Sequence, residues 1–312
     1  MKYVFLGSPP FAVSILAHLL DSPYEPSLVV TPPARRRGRG RKQAESPVAE
    51  LAAEAGIPVL QPETVRDPAV VERLRAEEAD VFLVASYGEF LREEFLELPK
   101  VACLNVHPSL LPRWRGATPV QAAILAGDEE TGTTIQRVVL ELDAGDVLVQ
   151  KRAPMLPGES AGELAGRLAS LSGEAAVEAL RLIDTGEAVY TPQDPEQVTK
   201  CRKLSKEDGH MDWRRSAAEL ERHVLAMSPW PLAHTALPGG THLGVWRAAQ
   251  APLLDADVQG EPGTVLAAKN RLLVATGKGA LELLEVQAAG KRAMAASDFL
   301  RGVRLEAGER LA

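Results

Sequence analysis

The sequence predicts an α/β protein: a mostly parallel sheet built from βαβ units, followed by a small antiparallel barrel. Three observations carry this. Short β runs alternate with helical patterns through the first half of the chain. One of those runs, "VFLVAS" at 81–86, is apolar without alternation, as a strand buried on both faces is. From about residue 241 onward, short strand-like runs recur between Gly, Pro and Asn at close spacing. A length of 312 residues exceeds one ordinary core and fits two domains.

Taken in order, strand-like runs fall at 2–7, 27–31, 57–61, 81–86, 101–107 and 133–139, with helical patterns at 9–20, 47–55 and 69–78 between them. Ser160-x-x-Glu163 is a capping box that opens a long helix, continued by Leu164, Leu168, Leu171, Ala175, Leu180 and Ile183 at roughly helical spacing. The stretch "YTPQDPEQVTKCRKLSKEDG" (190–209) is polar, holds two prolines and lacks periodicity, so it reads as a linker. A second capping box, Ser216-x-x-Glu219, starts a helix that stops at Ser228-Pro229-Trp230-Pro231. The runs "HLGVWRAA", "GTVLAA", "RLLVATG" and "ALELLEVQ" then supply the barrel. "ATGKGAL" (275–281) lacks the spacing of a P-loop and reads as a hairpin turn.

Composition narrows the function. With 46% hydrophobic and 25% charged residues the chain reads as soluble and globular. No run approaches eighteen apolar residues, so no membrane span or membrane partner is expected. The opening ten residues are too short and too interrupted by Pro9 and Pro10 for a signal peptide, and a cytoplasmic protein is expected. Cys103 and Cys201 have no ligand spacing around them, so neither a disulfide framework nor a metal site is expected. A net charge of −7 argues against a protein that coats nucleic acid indiscriminately, and any such contact has to come from a local basic patch. Gly7-Ser8-Pro9-Pro10 after the first strand is not G-x-G-x-x-G, which disfavours a dinucleotide cofactor.

The stretch "LNVHPSLLPRWRGATP" (104–119) starts as a buried strand and breaks into a loop with three prolines. Residues i and i+2 of a strand share a face, so Asn105 and His107 project together. Pro108 ends the strand, which places the pair at its carboxyl end, where parallel sheets carry their sites. On these two residues, an edge histidine beside a turn-forming asparagine reads equally well. Downstream, "ELDAGDVLVQ" (141–150) offers Asp143 in a Gly-containing turn, and by itself Asp143 reads as a turn carboxylate. Together the three suit acyl transfer by direct attack of an amine. An amide that donates to a developing oxyanion lowers the barrier, an imidazole handles the proton, and a carboxylate orients the imidazole and favours its charged form. They make a poor covalent machine, because no Ser or Cys nucleophile accompanies them.

These blocks (Asn-x-His-x-Ser-Leu-Leu-Pro, then "RWRGATPVQAAILAGDEETGTTI", then "ELDAGDVL") resemble the 10-formyltetrahydrofolate-dependent formyltransferases. "FLGSPPFAV", "KLSKEDGHMDW", "SPWPLA" and "GKRAM" extend the resemblance over essentially the whole chain, to the branch that acts on methionyl-tRNA. The resemblance implies a doubly wound, Rossmann-like catalytic domain (1–189), a linker (190–208) and an OB-like domain (209–312) that helps hold tRNA. It implies that Asn105, His107 and Asp143 are the catalytic trio. It implies a folate site formed by Ser109, Leu110, Leu111 and Pro112, by the segment 87–91 (Tyr87, Gly88, Glu89 and Leu91 foremost), and by Leu140 and Glu141. Glu89 stands where the family commonly has an apolar or basic residue, and its side chain is expected to face solvent. The implied reaction moves the formyl group of 10-formyltetrahydrofolate to the α-amino group of methionine on initiator tRNA, for translation initiation, with no metal. Either His107 or a water held by Asp143 takes the proton from the attacking amine. A monomer is expected.

The most charged stretch, "TPPARRRGRGRKQAESP" (31–47), lies between a strand and a helix and is far longer than the usual connection. A run of this kind often is a solvated loop. In an acidic chain with one such loop, phosphate binding is the stronger reading. The resemblance aligns it with the family's loop at the tRNA acceptor end, which implicates Arg35, Arg36, Arg37, Arg39, Arg41 and Lys42, Arg39 first. Against this, residues 206–312 hold thirteen Lys/Arg and thirteen Asp/Glu, less basic than an RNA-gripping barrel should be. Rival readings are a sugar-nucleotide formyltransferase, which has no use for the loop at 35–42; a folate-binding RNA module without turnover, which has no need of the full trio; and a hydrolase that passes the formyl group to water.

Overall fold

A computed structural model describes the chain apart from Pro9, Ala34, residues 38–41 and residues 252–259, and apart from the side chains of 35–37 and 42–44. From the N-terminus it runs β1 (Tyr3–Gly7), α1 (Phe11–Leu20), β2 (Leu28–Val30), β3 (Arg35–Arg37), β4 (Lys42–Ala44), α2 (Pro47–Glu54), β5 (Val59–Leu60), α3 (Pro68–Arg75) and β6 (Val81–Ala85). There follow α4 (Glu93–Leu96), β7 (Ala102–His107), β8 (Arg115–Gly116), α5 (Pro119–Ala126), β9 (Glu130–Arg137), β10 (Val147–Pro154), α6 (Ala161–Asp184) and β11 (Lys200–Cys201). The remainder is α7 (Ala217–Met227), β12 (Ala233–Ala236), β13 (His242–Gln250), β14 (Val265–Ala268), β15 (Leu272–Ala275), β16 (Ala280–Ala288), β17 (Met294–Ala295) and α8 (Ala296–Gly302).

The chain divides into two compact units, one of Met1–Pro119, Glu130–Pro154 and Ala165–Cys201, the other of Val120–Glu129, Met155–Leu164 and Arg202–Ala312. In the first unit seven strands form one sheet in the order β10-β9-β7-β6-β1-β2-β5. The five from β7 to β5 pair in parallel; β9 and β10 close the other edge antiparallel. Strand alternation divides the core. Tyr3, Phe5, Leu83 and Leu104 pack with Ile15 and Leu16 of α1 and Leu180 of α6 on one face. Val4, Leu6, Phe82 and Cys103 pack with Leu74 of α3 and Phe95 of α4 on the other. Helices on both faces make the sheet doubly wound, and the apolar run at 81–86 forms the central β6.

Strand order reverses about β1, so connections leave the carboxyl ends of β1 and β6 in opposite directions. That switch point lies between β1 and β6, one strand over from β7. Among the elements that escaped the sequence reading are α5 and β10. Helix α5 is only eight residues long, and in β10 the charges Lys151 and Arg152 interrupt the apolar signal at the sheet edge. The segment from 190 onward carries β11, which pairs in parallel with β8.

In the second unit β12-β13-β16-β15-β14 make an antiparallel sheet, with β17 added to β16. Leu243, Val245, Leu272, Leu281 and Val286 are buried, as are Leu220 and Val224 of α7, which packs on β13. Both capping boxes form. Ser216 Oγ accepts from the Glu219 N–H while Glu219 accepts from the Ser216 N–H at 3.0 Å, and Ser160 with Glu163 repeats the pattern at 2.8 Å. At the β15–β16 turn Thr276 N–H donates to the Gly279 carbonyl, the hairpin expected at 275–281.

Candidate active site

Asn105 and His107 stand on the face of β7 that also carries Cys103, two residues apart at the strand's carboxyl end. Asn105 pairs in register with Val84 on one side and Gln136 on the other; His107 pairs with Thr134. The antiparallel β9 therefore brings Gln136 alongside Asn105. Past Pro108 the chain turns back, and Trp114, at a φ of 62°, aims its carbonyl at His107 Nε2, 3.0 Å away.

The other ring nitrogen, Nδ1, lies 3.8 Å from Asp143 Oδ2, an ion-pair contact longer than a hydrogen bond. His107 is 4% exposed, so each ring edge depends on a protein partner. One edge meets a carbonyl and the other a carboxylate, both of them acceptors. Asp143 itself has a φ of 51°. Its Oδ2 accepts the Gly116 backbone N–H at 2.8 Å and its Oδ1 accepts Gln136 Nε2 at 3.1 Å. The trio taken from two stretches of sequence is thus one cluster.

A cleft of about 540 Å³ opens over it, lined by Asn105, His107, Asp143 and Gln136. Its wall includes Tyr87, Gly88, Glu89, Leu91 and Leu140, which the sequence reading singles out. Phe90, Val139 and Leu142 complete an apolar side and are exposed, Leu142 to 64%. The latter two carried no sequence signal beyond lying beside Leu140. Glu89 does not point freely to solvent: it is half-buried, and its carboxylate accepts the Thr64 hydroxyl at 2.8 Å. Ser109, Leu110, Leu111 and Pro112 do not line the cleft. Ser109 Oγ donates to the Arg113 carbonyl, and Leu111 donates its N–H to Thr134 Oγ1 and accepts from Gln150 Nε2 at its carbonyl. Glu141 also stays off the wall, exposed and paired with Arg115 at 3.2 Å.

Residues that sequence reasoning missed come from the segment read as a linker. Thr199 Oγ1 accepts the Trp114 N–H at 2.8 Å, and Gln193 Nε2 lies 2.8 Å from the Asp143 carbonyl and 2.7 Å from that of Gly145. Cys201 Sγ sits 3.5 Å from the Trp114 and Arg115 carbonyls. Burial pushes its thiol pKa up, and the charge of Asp143 adds to that, which keeps the sulfur a neutral thiol and a poor nucleophile.

A family model described as formyl transferase matches residues 1–180, and one described as formyl transferase, C-terminal domain, matches 203–304. A methionyl-tRNA formyltransferase of Methylococcus capsulatus is 44% identical over 311 residues, covering 100% of this chain and 99% of that protein. The chain belongs to the methionyl-tRNA formyltransferase family. Another member, from Chloroflexus aggregans, is 45% identical over 305 residues, 97% of each chain. Among solved structures, HypX from Aquifex aeolicus in complex with tetrahydrofolic acid shares the fold at a TM-score of 0.63 and 19% identity, covering 96% of this chain and 47% of that one.

Of the basic stretch, the family resemblance puts most weight on Arg39, which with Arg41 lies outside the described residues; so do the side chains of Arg35, Arg36, Arg37 and Lys42. The backbone of β3 and β4 pairs antiparallel, Arg35 opposite Ala44 and Arg37 opposite Lys42. No group of His, Cys, Asp and Glu suited to a metal ion occurs among the described residues, and no described helix is long and apolar enough to cross a membrane.

Proposed function

We propose that this chain transfers the formyl group of 10-formyltetrahydrofolate to the α-amino group of methionyl-initiator tRNA, with Asn105, His107 and Asp143 as its catalytic residues. The observation that carries the reading is the convergence of these three side chains on one cleft wall, with His107 held between the Trp114 carbonyl and Asp143. The cleft suits the donor. A flat heterocycle needs apolar walls and a few backbone groups, which Phe90, Val139, Leu142 and the 87–89 turn offer.

The donor supplies the formyl carbon, and the neutral amine attacks it. Asn105 donates its amide N–H to the formyl oxygen as negative charge gathers there. His107 stabilises the same charge and passes a proton towards the leaving N10, while His107 or a water held by Asp143 takes the proton that the attacking amine loses. Asp143 holds the imidazolium in place, itself pinned by Gly116 and Gln136. Ser109 to Pro112, next to His107 in the chain, and Glu141, paired with Arg115, complete the folate site.

Residues 1–189 serve as the catalytic part, 190–208 as the connection and 209–312 as a support for tRNA, in a monomer working in the cytoplasm. Arg35, Arg36, Arg37, Arg39, Arg41 and Lys42 are the phosphate contacts for the acceptor end, a reading supported by their density in a chain of net charge −7. The test is transfer of labelled formyl from 10-formyltetrahydrofolate to methionyl-initiator tRNA, with uncharged tRNA and free methionine as controls. Label on the aminoacyl-tRNA only is the expected result. Folate binding with no label on the charged tRNA overturns the acceptor and turns the search to sugar amines.

A further inference from the structure

We infer that Gln193, from the segment that reads as a linker, is a positioning residue for the reaction, acting through Asp143. The inference rests on Asp143 being catalytic as proposed above.

Four contacts define it. Gln193 Oε1 accepts Arg115 Nε at 3.0 Å. Its Nε2 faces the Asp143 carbonyl at 2.8 Å, the Gly145 carbonyl at 2.7 Å and Gln136 Oε1 at 3.2 Å. Gln136 Nε2 then donates to Asp143 Oδ1 at 3.1 Å.

The ends of this chain fix its direction. A guanidinium can only donate, so the Gln193 oxygen faces Arg115 and its NH2 faces inward. An ionised carboxylate can only accept, so the Gln136 NH2 faces Asp143 and its oxygen faces Gln193. Both amide orientations are settled by chemistry, and neither can flip without setting like groups against each other at both ends.

Two things follow for Asp143. Gln193 grips the backbone of the turn at the residue with a φ of 51°, and at Gly145 two residues on. Through Gln136 it also fixes the carboxylate rotation, leaving Oδ2 for the Gly116 N–H and His107 Nδ1. Two contacts from one half-buried amide onto a turn that bears a working carboxylate, and a third onto the Gln136 side chain that holds that carboxylate, exceed what is needed to tie down a connecting segment, which β11 and Thr199 already anchor.

The decisive experiment is a double-mutant cycle in the full chain. Gln193→Met keeps the length and removes the amide; Gln193→Glu keeps an acceptor for Arg115 and removes the donors; Asp143→Asn and the double variant with Gln193→Met complete the set. Formyl transfer is followed in single turnovers with enzyme in excess, alongside folate affinity and thermal melting. The expected loss for Gln193→Met is about 10- to 100-fold in the transfer rate with folate affinity within about twofold, and Gln193→Glu falls similarly. In the Asp143→Asn background the same Gln193→Met change is expected to cost less than about twofold, because a residue acting through Asp143 has nothing left to position.

Equal losses in both backgrounds, or a lowered melting temperature with an unchanged rate, overturn the inference and leave Gln193 as an anchor of its segment. A wild-type rate for Asp143→Asn overturns the catalytic reading beneath it, and is told apart by that variant on its own. Should Gln193→Met not fold, Gln136→Met breaks the same chain one step nearer the carboxylate and is read by the same cycle.

Discussion

Gly116 donates its backbone N–H to Asp143 Oδ2 at 2.8 Å, from a φ of 122°, with the Cys201 carbonyl 2.0 Å from where a Cβ would stand. No side chain fits that position, since backbone blocks it and the dihedral is open only to glycine at low cost. Gly116→Ala is expected to lose about 3 kcal/mol of unfolding free energy in urea titration and most of the transfer activity. A variant within about 0.5 kcal/mol of wild type would show that β8 and β11 can separate freely.

His107→Ala is expected to remove about 3–5 kcal/mol of transition-state stabilisation, on the usual scale for proton-transfer groups, with folate affinity nearly unchanged. Measuring kcat/KM beside the folate Kd checks this. A large loss of folate binding would make His107 a binding residue and sink the mechanism.

Glu77 offers a pH test away from the site. Burial works to raise its carboxyl pKa, but hydrogen bonds and charge from Lys2 (3.0 Å) and Arg73 outweigh that and hold it below the ordinary 4.5. A carboxylate lowered on folding stabilises the protein above its unfolded value, and that contribution drains away as pH falls through the folded value. Stability is expected to drop below about pH 4.5, and Glu77→Gln to flatten that slope while costing about 1–2 kcal/mol at neutral pH. An unaltered slope in the variant would assign the acid limb to other carboxylates.

Arg39→Ala is expected to raise the apparent KM for tRNA about tenfold and to reduce its salt dependence by about one unit in log–log slope, with folate kinetics unchanged. If both tRNA parameters stay put, the phosphate contact lies elsewhere in the basic stretch or outside it.

What sequence made legible was whatever repeats at a fixed spacing. Asn105 and His107 stood out because strand alternation puts them on one face and Pro108 ends the strand there. The capping boxes at Ser160 and Ser216 were readable because they are local. Gln193 was hidden because its partners, Arg115, Gln136, Asp143 and Gly145, lie 48 to 78 residues away, and a polar stretch without periodicity has no local signature of where it folds back. Gln136 was hidden for the opposite reason, as one polar residue inside a strand. The loop at 109–112 stood beside the histidine in sequence, but the partners of its backbone, Thr134 and Gln150, lie more than twenty residues on and carry no local signal.

The two rims of the seven-stranded sheet are finished differently. A sheet rim leaves a row of backbone donors and acceptors open to any passing strand, and proteins that stay apart in a crowded cell blunt it by brevity, by charge or by proline. Here β5 is two residues long, while the much longer β10 carries Lys151 and Arg152, paired to Glu178 and Glu130, and ends on Pro154. The same charges that masked β10 from the sequence reading thus blunt a rim on which a further strand could pair.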